Sequence, residues 1–338
     1  MAPDYSWIDP DFFPIAFRLS RADAAVLEVM RHSLRWSEAD GKGPVDIRRV
    51  EDPQEVLVFG VRPVPAAISL AFSDAVHHLR AALETTLFTL ACRHHGELTG
   101  KQASRVSFPI CSEEKPLGDW FKDMDRNQLH GLSRSSTIGK RVEALQPLNS
   151  EQQVLSIRSP ELAALGFSVD GEHPLTLLQG YSNHDKHRAI RVAAGRQMVM
   201  DDEGPIKSHQ LEMRPVTVGD ALDFGSSENI ASYPAVHVSR PQGHVWVGPG
   251  TELTQLWSYV AEVAIPTLIS GESRVHAFPA KIDTQSWKLS PAELVRNGDP
   301  RLAEERFVPY LEDSTQRSRL AGQTIIPRGN RADLPPGT

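Results

Sequence analysis

Two polar clusters interrupt stretches whose other residues are mostly Leu, Ala, Val or Phe: His77-His78-Leu79-Arg80 with Glu84, and Asn183-His184-Asp185-Lys186-His187-Arg188. Arg80 offers a planar fork of donors suited to a phosphate or a carboxylate. His77 and His187 can exchange protons near neutral pH, with Glu84 or Asp185 to orient one of them. Lys186 and Arg188 would add positive charge for an anionic transition state. As chemistry, Arg80, His187 and His77 are catalytic candidates for phosphodiester cleavage. Glu84, Asn183, Asp185, Lys186 and Arg188 are candidates for binding or for a polar network. Buried charge is costly unless it is neutralised, so the two clusters read as halves of one site.

A structural reading stands beside the chemical one. Arg80 could pair with Asp185, and Glu84 with Lys186, His187 or Arg188, locking two helices in register without chemistry. Asn183 and Asp185 would then be cap residues at an element boundary. His184 and His187, three residues apart with Asp185 between them, could join His77 and Glu84 around a metal, although no metal or cofactor is expected. There is no P-loop, no dinucleotide-binding glycine fingerprint, no HExxH and no Gly-x-Ser-x-Gly elbow. Cys92 and Cys111 form no CxxC or ligand-spaced set and read as reduced thiols.

The elements that must position these residues follow from periodicity. A first helix is expected over Ser20 to Glu38, capped by Ser20 with Asp23 in its first turn. Short strands are expected over Val45–Val50 and Glu55–Val61, joined by a turn at Asp52-Pro53. The strongest signal is a helix over Ser69 to His95, stopped by Gly96, with Phe72, Val76, Leu79, Leu83, Leu87 and Leu90 in one stripe. His77, Arg80 and Glu84 fall on its flank. A further helix on Leu175, Leu177 and Leu178 precedes the second cluster. After Arg188 the chain turns β-rich. Strands are expected at Ala189–Val192 and Gln197–Met200 about a turn at Ala194-Gly195, then at Gln210–Val218 and Ala221–Phe224. A hairpin follows, with Val236 and Val238 before Arg240-Pro241 and Val245 and Val247 after it. A closing helix over Thr251 to Ile269 is kinked at Pro266 and ended by Gly271. This gives one α+β domain over 1–274, with a helical core and an antiparallel β-rich second half. Residues 275–338 read as an extended, partly disordered and loosely structured C-terminal tail with a short helix near Pro291–Val295.

The motifs His77–Glu84 (His-x-x-Arg-x-Ala-Leu-acid), Phe108-Pro109-Ile110, Leu145-Gln146-Pro147 and Asn183–Arg188 (Asn-x-Asp-Lys-His-Arg) give the chain a resemblance. In order and spacing it resembles a widespread family of uncharacterised bacterial proteins over about Pro65 to Arg191. That family's helix carries an Arg-x4-His pair similar to the signature of HEPN domains, helical bundles that include metal-independent RNA-cleaving toxins acting in a cleft shared by two subunits. The resemblance implies a HEPN-like helical core, RNA or a protein as partner, and a homodimer. This chain keeps Arg80 and has Glu84 for the family's Asp, but Thr85 stands where the His would be, so cleavage must recruit His77 or His187. The expected role is therefore binding or regulation, with endoribonuclease activity and a purely structural network as the alternatives.

Composition bounds the rest. Thirty-six Lys and Arg against 43 Asp and Glu leave a net charge of −7, which argues against broad charge-driven nucleic-acid binding. Local basic stretches remain, Arg126, Arg134, Lys140 and Arg141 in one and Lys186, Arg188, Arg191 and Arg196 in another. These are more often solvated faces than phosphate sites. No apolar run is long enough for a membrane span, and the acidic, aromatic start lacks the order of a secretory signal, so a cytoplasmic location is expected.

Overall fold

The computed structural model describes residues 4–38, 44–51, 54–156, 169–187, 190–201, 215–222, 230–242, 245–274, 277–321, 328–329, 333 and 335. Two long helices form its centre, α1 (Phe13–Glu38) and α2 (Ala66–His95), joined through a hairpin of β1 (Val45–Glu51) and β2 (Gln54–Val61). The stripe on α2 is buried as its spacing requires, and Phe72, Val76, Leu79, Leu83 and Leu87 share one core with Ile15, Leu19, Val26 and Val29 of α1. Gly96 ends α2 at φ 76°, a conformation glycine adopts at no steric cost.

Helix α1 begins at Phe13, so Ser20 and Asp23 lie inside it and not at a cap. Both are buried, and both accept backbone N–H groups from far along the chain. The Ser20 hydroxyl receives Ile282 N–H at 2.7 Å, and the Asp23 carboxylate receives Ala303 N–H at 2.7 Å and the Arg306 guanidinium. Polar side chains that resemble a helix start in sequence are instead the anchor of the C-terminal arm.

Short helices follow α2: α3 (Gly100–Ala103), α4 (Glu114–Arg126) and α5 (Thr137–Ala144). Strands β3 (Val154–Leu155) and β4 (Gly171–Glu172) pair antiparallel and lead into α6 (Pro174–His187). The second half then turns to sheet, as its composition predicts. Strand β5 (Val192–Asp201) pairs with β7 (Ile230–Ser239), which pairs with β8 (Trp246–Val247), all antiparallel, while β6 (Ala221–Leu222) joins β2. The expected turn at Ala194-Gly195 is a register shift within continuous β5, between Gly195 and Met198. Gly195 is required there because a Cβ would lie 2.0 Å from Nδ1 of buried His237. The expected turn at Asp52-Pro53 lies outside the described residues, as do Ala189, Gln210–Arg214, Asp223, Phe224 and Gly243 of the expected strands and hairpin.

The closing helix has three parts: α7 (Pro249–Ser258), a π-helical stretch over Tyr259–Ala264, and α8 (Ile265–Ser270). Pro266 has no N–H for the carbonyl four residues back, that of Glu262. Arg274 N–H supplies the missing bond to that carbonyl at 2.7 Å. The kink expected at Pro266 thus takes the form of a widened turn. Residues 275–338 hold more structure than an extended tail. Helices α9 (Pro291–Arg296) and α10 (Ala303–Ala321) both pack on α1, and β9 (Arg328–Gly329) pairs parallel with β1. The fold class is α+β. No helix among the described residues is long and apolar enough to cross a membrane.

One ion pair is sealed in the interior. Arg240, after β7, makes two bonds of 2.9 Å to both carboxylate oxygens of Glu252 on α7, and Tyr181 of α6 donates its hydroxyl to the same carboxylate at 3.1 Å. Arg240 also donates to the carbonyls of Asp170 and Val154, each at 3.1 Å. Burial drives the Glu252 carboxyl upward in pKa, and the Arg240 guanidinium and the Tyr181 hydroxyl oppose it. Removing one partner strands the other charge in the interior. Arg240→Ala is therefore expected to lower unfolding free energy by about 3–5 kcal/mol in urea titrations. The exposed Arg126, whose ion pair is with Asp123, serves as a control whose replacement by Ala leaves the midpoint nearly unmoved.

Candidate functional site

At 100° per residue, Arg80 and Glu84 sit on one flank of the buried stripe of α2, His78 on the other, and His77 on the outer face. Arg80 and Glu84 are one turn apart and pair at 2.6 Å. Together they grip one residue of the segment that follows α3. Arg80 Nη2 donates to the Phe108 carbonyl at 2.7 Å, and Glu84 Oε2 accepts Phe108 N–H at 2.6 Å. Nearby, Trp120 Nε1 donates to the Ser107 carbonyl at 3.1 Å. Buried Gln146 accepts Cys111 N–H at 3.0 Å while donating to the Val142 carbonyl at 2.9 Å. Residues 107–111 belong to no strand, so these side chains take the place of a neighbouring strand and satisfy its backbone.

Three of the four motifs that carry the family resemblance therefore meet at this clamp: Arg80 and Glu84, Phe108-Pro109-Ile110, and Gln146. The fourth is held elsewhere. Asp185 accepts a hydrogen bond of 2.5 Å from Ser73, seven residues before Arg80 and so about 10 Å along the helix axis. Tyr181 packs edge-on against Phe72, ring centroids 4.9 Å apart. The expected pairing of Arg80 with Asp185 is not formed, because Asp185 lies beside Ser73, about two turns along α2 from Arg80.

Arg80 keeps 22% of its side chain exposed, and its Nη1 is buried with no hydrogen-bond partner among the described residues. Burial pulls its pKa below the usual arginine value, against the pull of Glu84. His77 is exposed, with its ring 5.6 Å from that of half-buried His78. Burial holds the His78 imidazole below its ordinary pKa, helped by His77, Arg21 and Arg18 and opposed by Asp74. Asn183 and Asp185 are exposed on α6 and His184 is half-buried. The side chains of Lys186 and His187, and all of Arg188, lie outside the described residues. Among the described residues no group of three or more His, Cys, Asp or Glu could hold a metal ion.

The first basic stretch is largely committed within the chain. Arg134 pairs with Glu114 at 2.5 Å and with Glu143, Arg126 reaches Asp123 at 3.5 Å, and Arg141 donates to the carbonyls of Leu268, Ile269 and Ser270 at the end of α8. These cations act as helix caps and bridges.

A second polar group lies around the hub of Arg240, Glu252 and Tyr181. Glu172 of β4 has a buried Oε1 with no partner among the described residues, and burial raises its pKa. His173 caps α6: its Nδ1 accepts Leu175 N–H at 3.2 Å, which puts the proton of the neutral ring on Nε2. Burial lowers its pKa to about 4. Its ring lies 5.7 Å from that of buried Tyr259, the first residue of the π-helical stretch. Nothing in sequence marks these residues, since an acid in a helix's first turn and a His before Pro174 are common solvent-facing choices. No protein-family model, curated protein or solved structure matches the chain.

Two outcomes follow. Replacing Arg80 by Ala frees the Phe108 carbonyl, and replacing Glu84 by Ala frees its N–H. Stability is expected to fall by about 1–3 kcal/mol, with faster amide exchange at Phe108 and Cys111 and no change at Ile190. The second concerns pH. His173 and His237 both have folded pKa values lowered to about 4 from an ordinary 6.5. The unfolded chain therefore binds more protons between those values, and stability falls as pH drops from 6.5 towards 4. His173→Asn, which keeps a capping acceptor, is expected to remove about one proton from the uptake on unfolding, read as a shallower slope of stability against pH.

Proposed function

We propose that this protein is a binding or regulatory protein with a HEPN-like helical core, working as a two-fold dimer through the outer face of α2, and not an RNA-cleaving enzyme. The observation that supports this reading is that Arg80 Nη2 is held by Glu84 and the Phe108 carbonyl while Nη1 is buried, so the guanidinium does not present two donors together to a phosphate in solvent. The spent cations of Arg126–Val142 point away from RNA in the same way.

The outer face of α2 supports a protein contact. Leu70, 65% exposed, and Phe88, 38% exposed, lie on the side opposite Leu79, with exposed His77 between them. They are eighteen residues apart, about 27 Å along the helix. An antiparallel two-fold pairing centred near Leu79 sets Leu70 of each copy against Phe88 of the other, a self-complementary arrangement.

The test is sedimentation equilibrium beside an RNA-cleavage assay in chelator, for wild type, Leu70→Asp/Phe88→Asp and Arg80→Ala. A dimer that the double variant converts to monomer with its melting temperature unchanged, and no cleavage by any protein, is the expected result. Metal-independent cleavage lost in Arg80→Ala would replace this reading with the endoribonuclease one, in which His187 or His77 transfers the proton.

A further inference from the structure

The last turn of α2 carries two adjacent imidazoles, His94 and His95, whose rings meet edge-on with centroids 4.7 Å apart. Facing them is a single 3-10 turn, His130–Leu132, on the link between α4 and α5. Gly131 at its centre is buried against the rings. A Cβ there would lie 2.3 Å from Cδ2 of His94, so only glycine lets the turn come this close. Gly131 donates its N–H to His95 Nε2 at 3.0 Å, and its carbonyl accepts the Ser136 hydroxyl at 2.7 Å. Leu129 and Leu132 on either side are buried in the main core.

The direction of the Gly131 bond decides the state of the ring. A backbone N–H only donates, so Nε2 must offer its lone pair, and the proton of neutral His95 sits on Nδ1. A second proton goes to Nε2, which then faces an N–H instead of receiving one. The bond is lost, and the buried amide is left opposite a positive charge. Burial lowers the His95 pKa, and the two titratable groups that face the ring, His94 on its own helix and His130 on the turn, lower it further. Helices α4 and α5 pack on the turn and add no charge that moves it among the described residues. The folded ring therefore binds its second proton less readily than a ring in water, whose pKa is about 6.5. The closed turn keeps its full stability above that value and loses it as pH falls below.

We propose that His95 is a proton-operated latch: neutral, it holds the His130–Leu132 turn shut on the end of α2, and protonated, it releases the turn while the helices stay folded. The opening is local. Gly131 loses its acceptor, and the flanking Leu129 and Leu132 come within reach of solvent. His94 and His130 strengthen the response, because opening relieves the repulsion among three imidazolium rings. This does not rest on the outer face of α2 or on the reading of Arg80.

The test is amide hydrogen exchange of the full-length protein, followed by NMR at about pH 7.5 and about pH 5 and corrected for intrinsic rates. The amide of Leu83, in the buried stripe of the same helix, reports global opening. Protection of Gly131 relative to Leu83 is expected to fall about tenfold or more at the lower pH. His95→Gln places a carbonyl oxygen that does not titrate within reach of the same N–H, and is expected to hold that ratio constant. His94→Gln/His130→Gln keeps the latch, and its opening is expected to move to higher pH because the two neighbours no longer hold the ring neutral. Ring nitrogen shifts of wild-type His95 are expected to place its proton on Nδ1 at about pH 7.5. A wild-type ratio that stays constant while His95 titrates, an equal fall in His95→Gln, an opening at unchanged pH in the double variant, or a neutral ring protonated on Nε2 would each overturn the proposal.

Discussion

The buried ion pair between Arg240 and Glu252 is the contact on which the most elements converge among the described residues. It joins α7 to the segment after β7, the Tyr181 hydroxyl brings in α6, and the Val154 and Asp170 carbonyls bring in the β3–β4 pair. Five separate stretches therefore converge on one guanidinium and one carboxylate. An apolar contact of equal size would hold these elements close but would tolerate sliding. A bidentate fork does not, because its donors fit both oxygens in one orientation only. The arrangement fixes where α6 ends relative to α2, and hence where Asn183 and Asp185 come to lie.

The clamp on Phe108 uses the same chemistry for a different end. An extended segment between helices has backbone groups that need partners, and among the described residues no strand pairs with this one. Arg80 and Glu84 supply a donor and an acceptor from one helix turn, and Trp120 and Gln146 do the same on either side. A residue pattern that invites a catalytic reading is thus required by the backbone of a neighbouring segment. The guanidinium and carboxylate meet the needs of one peptide residue, which is a structural task for both.

The helical part of the fold was legible because burial imposes period on sequence. The α2 stripe, the stop at Gly96 and the Val236–Val247 hairpin could all be read from spacing. What could not be read was partnership. Arg80 had two acids within plausible reach, and only the packing of α2 against the 107–111 segment decides between Glu84 and Asp185. Ser20 and Asp23 carry the composition of a helix start, yet their real partners are 262 and 280 residues away. Helix α10 was missed because its one buried turn, near Ala303, is too short to show periodicity, while Val308, Tyr310 and Leu311 face outward. Glu172, His173, Tyr259 and the hub were invisible for the same reason: their roles come from burial by distant elements.

The anchoring of the C-terminal arm on α1 has a consequence for how the chain is made. Ser20 and Asp23 lie in α1, but the N–H groups that satisfy them belong to Ile282 and Ala303. At about 5–20 residues per second, synthesis takes on the order of 15 to 60 seconds to travel that distance. For that interval the nascent α1 carries a carboxylate and a hydroxyl on its apolar face, where water must solvate them. The pairing of α1 with α2 therefore cannot reach its final dry packing until Ile282 and Ala303 have been made, and a segment synthesised long after α1 is the one that closes it.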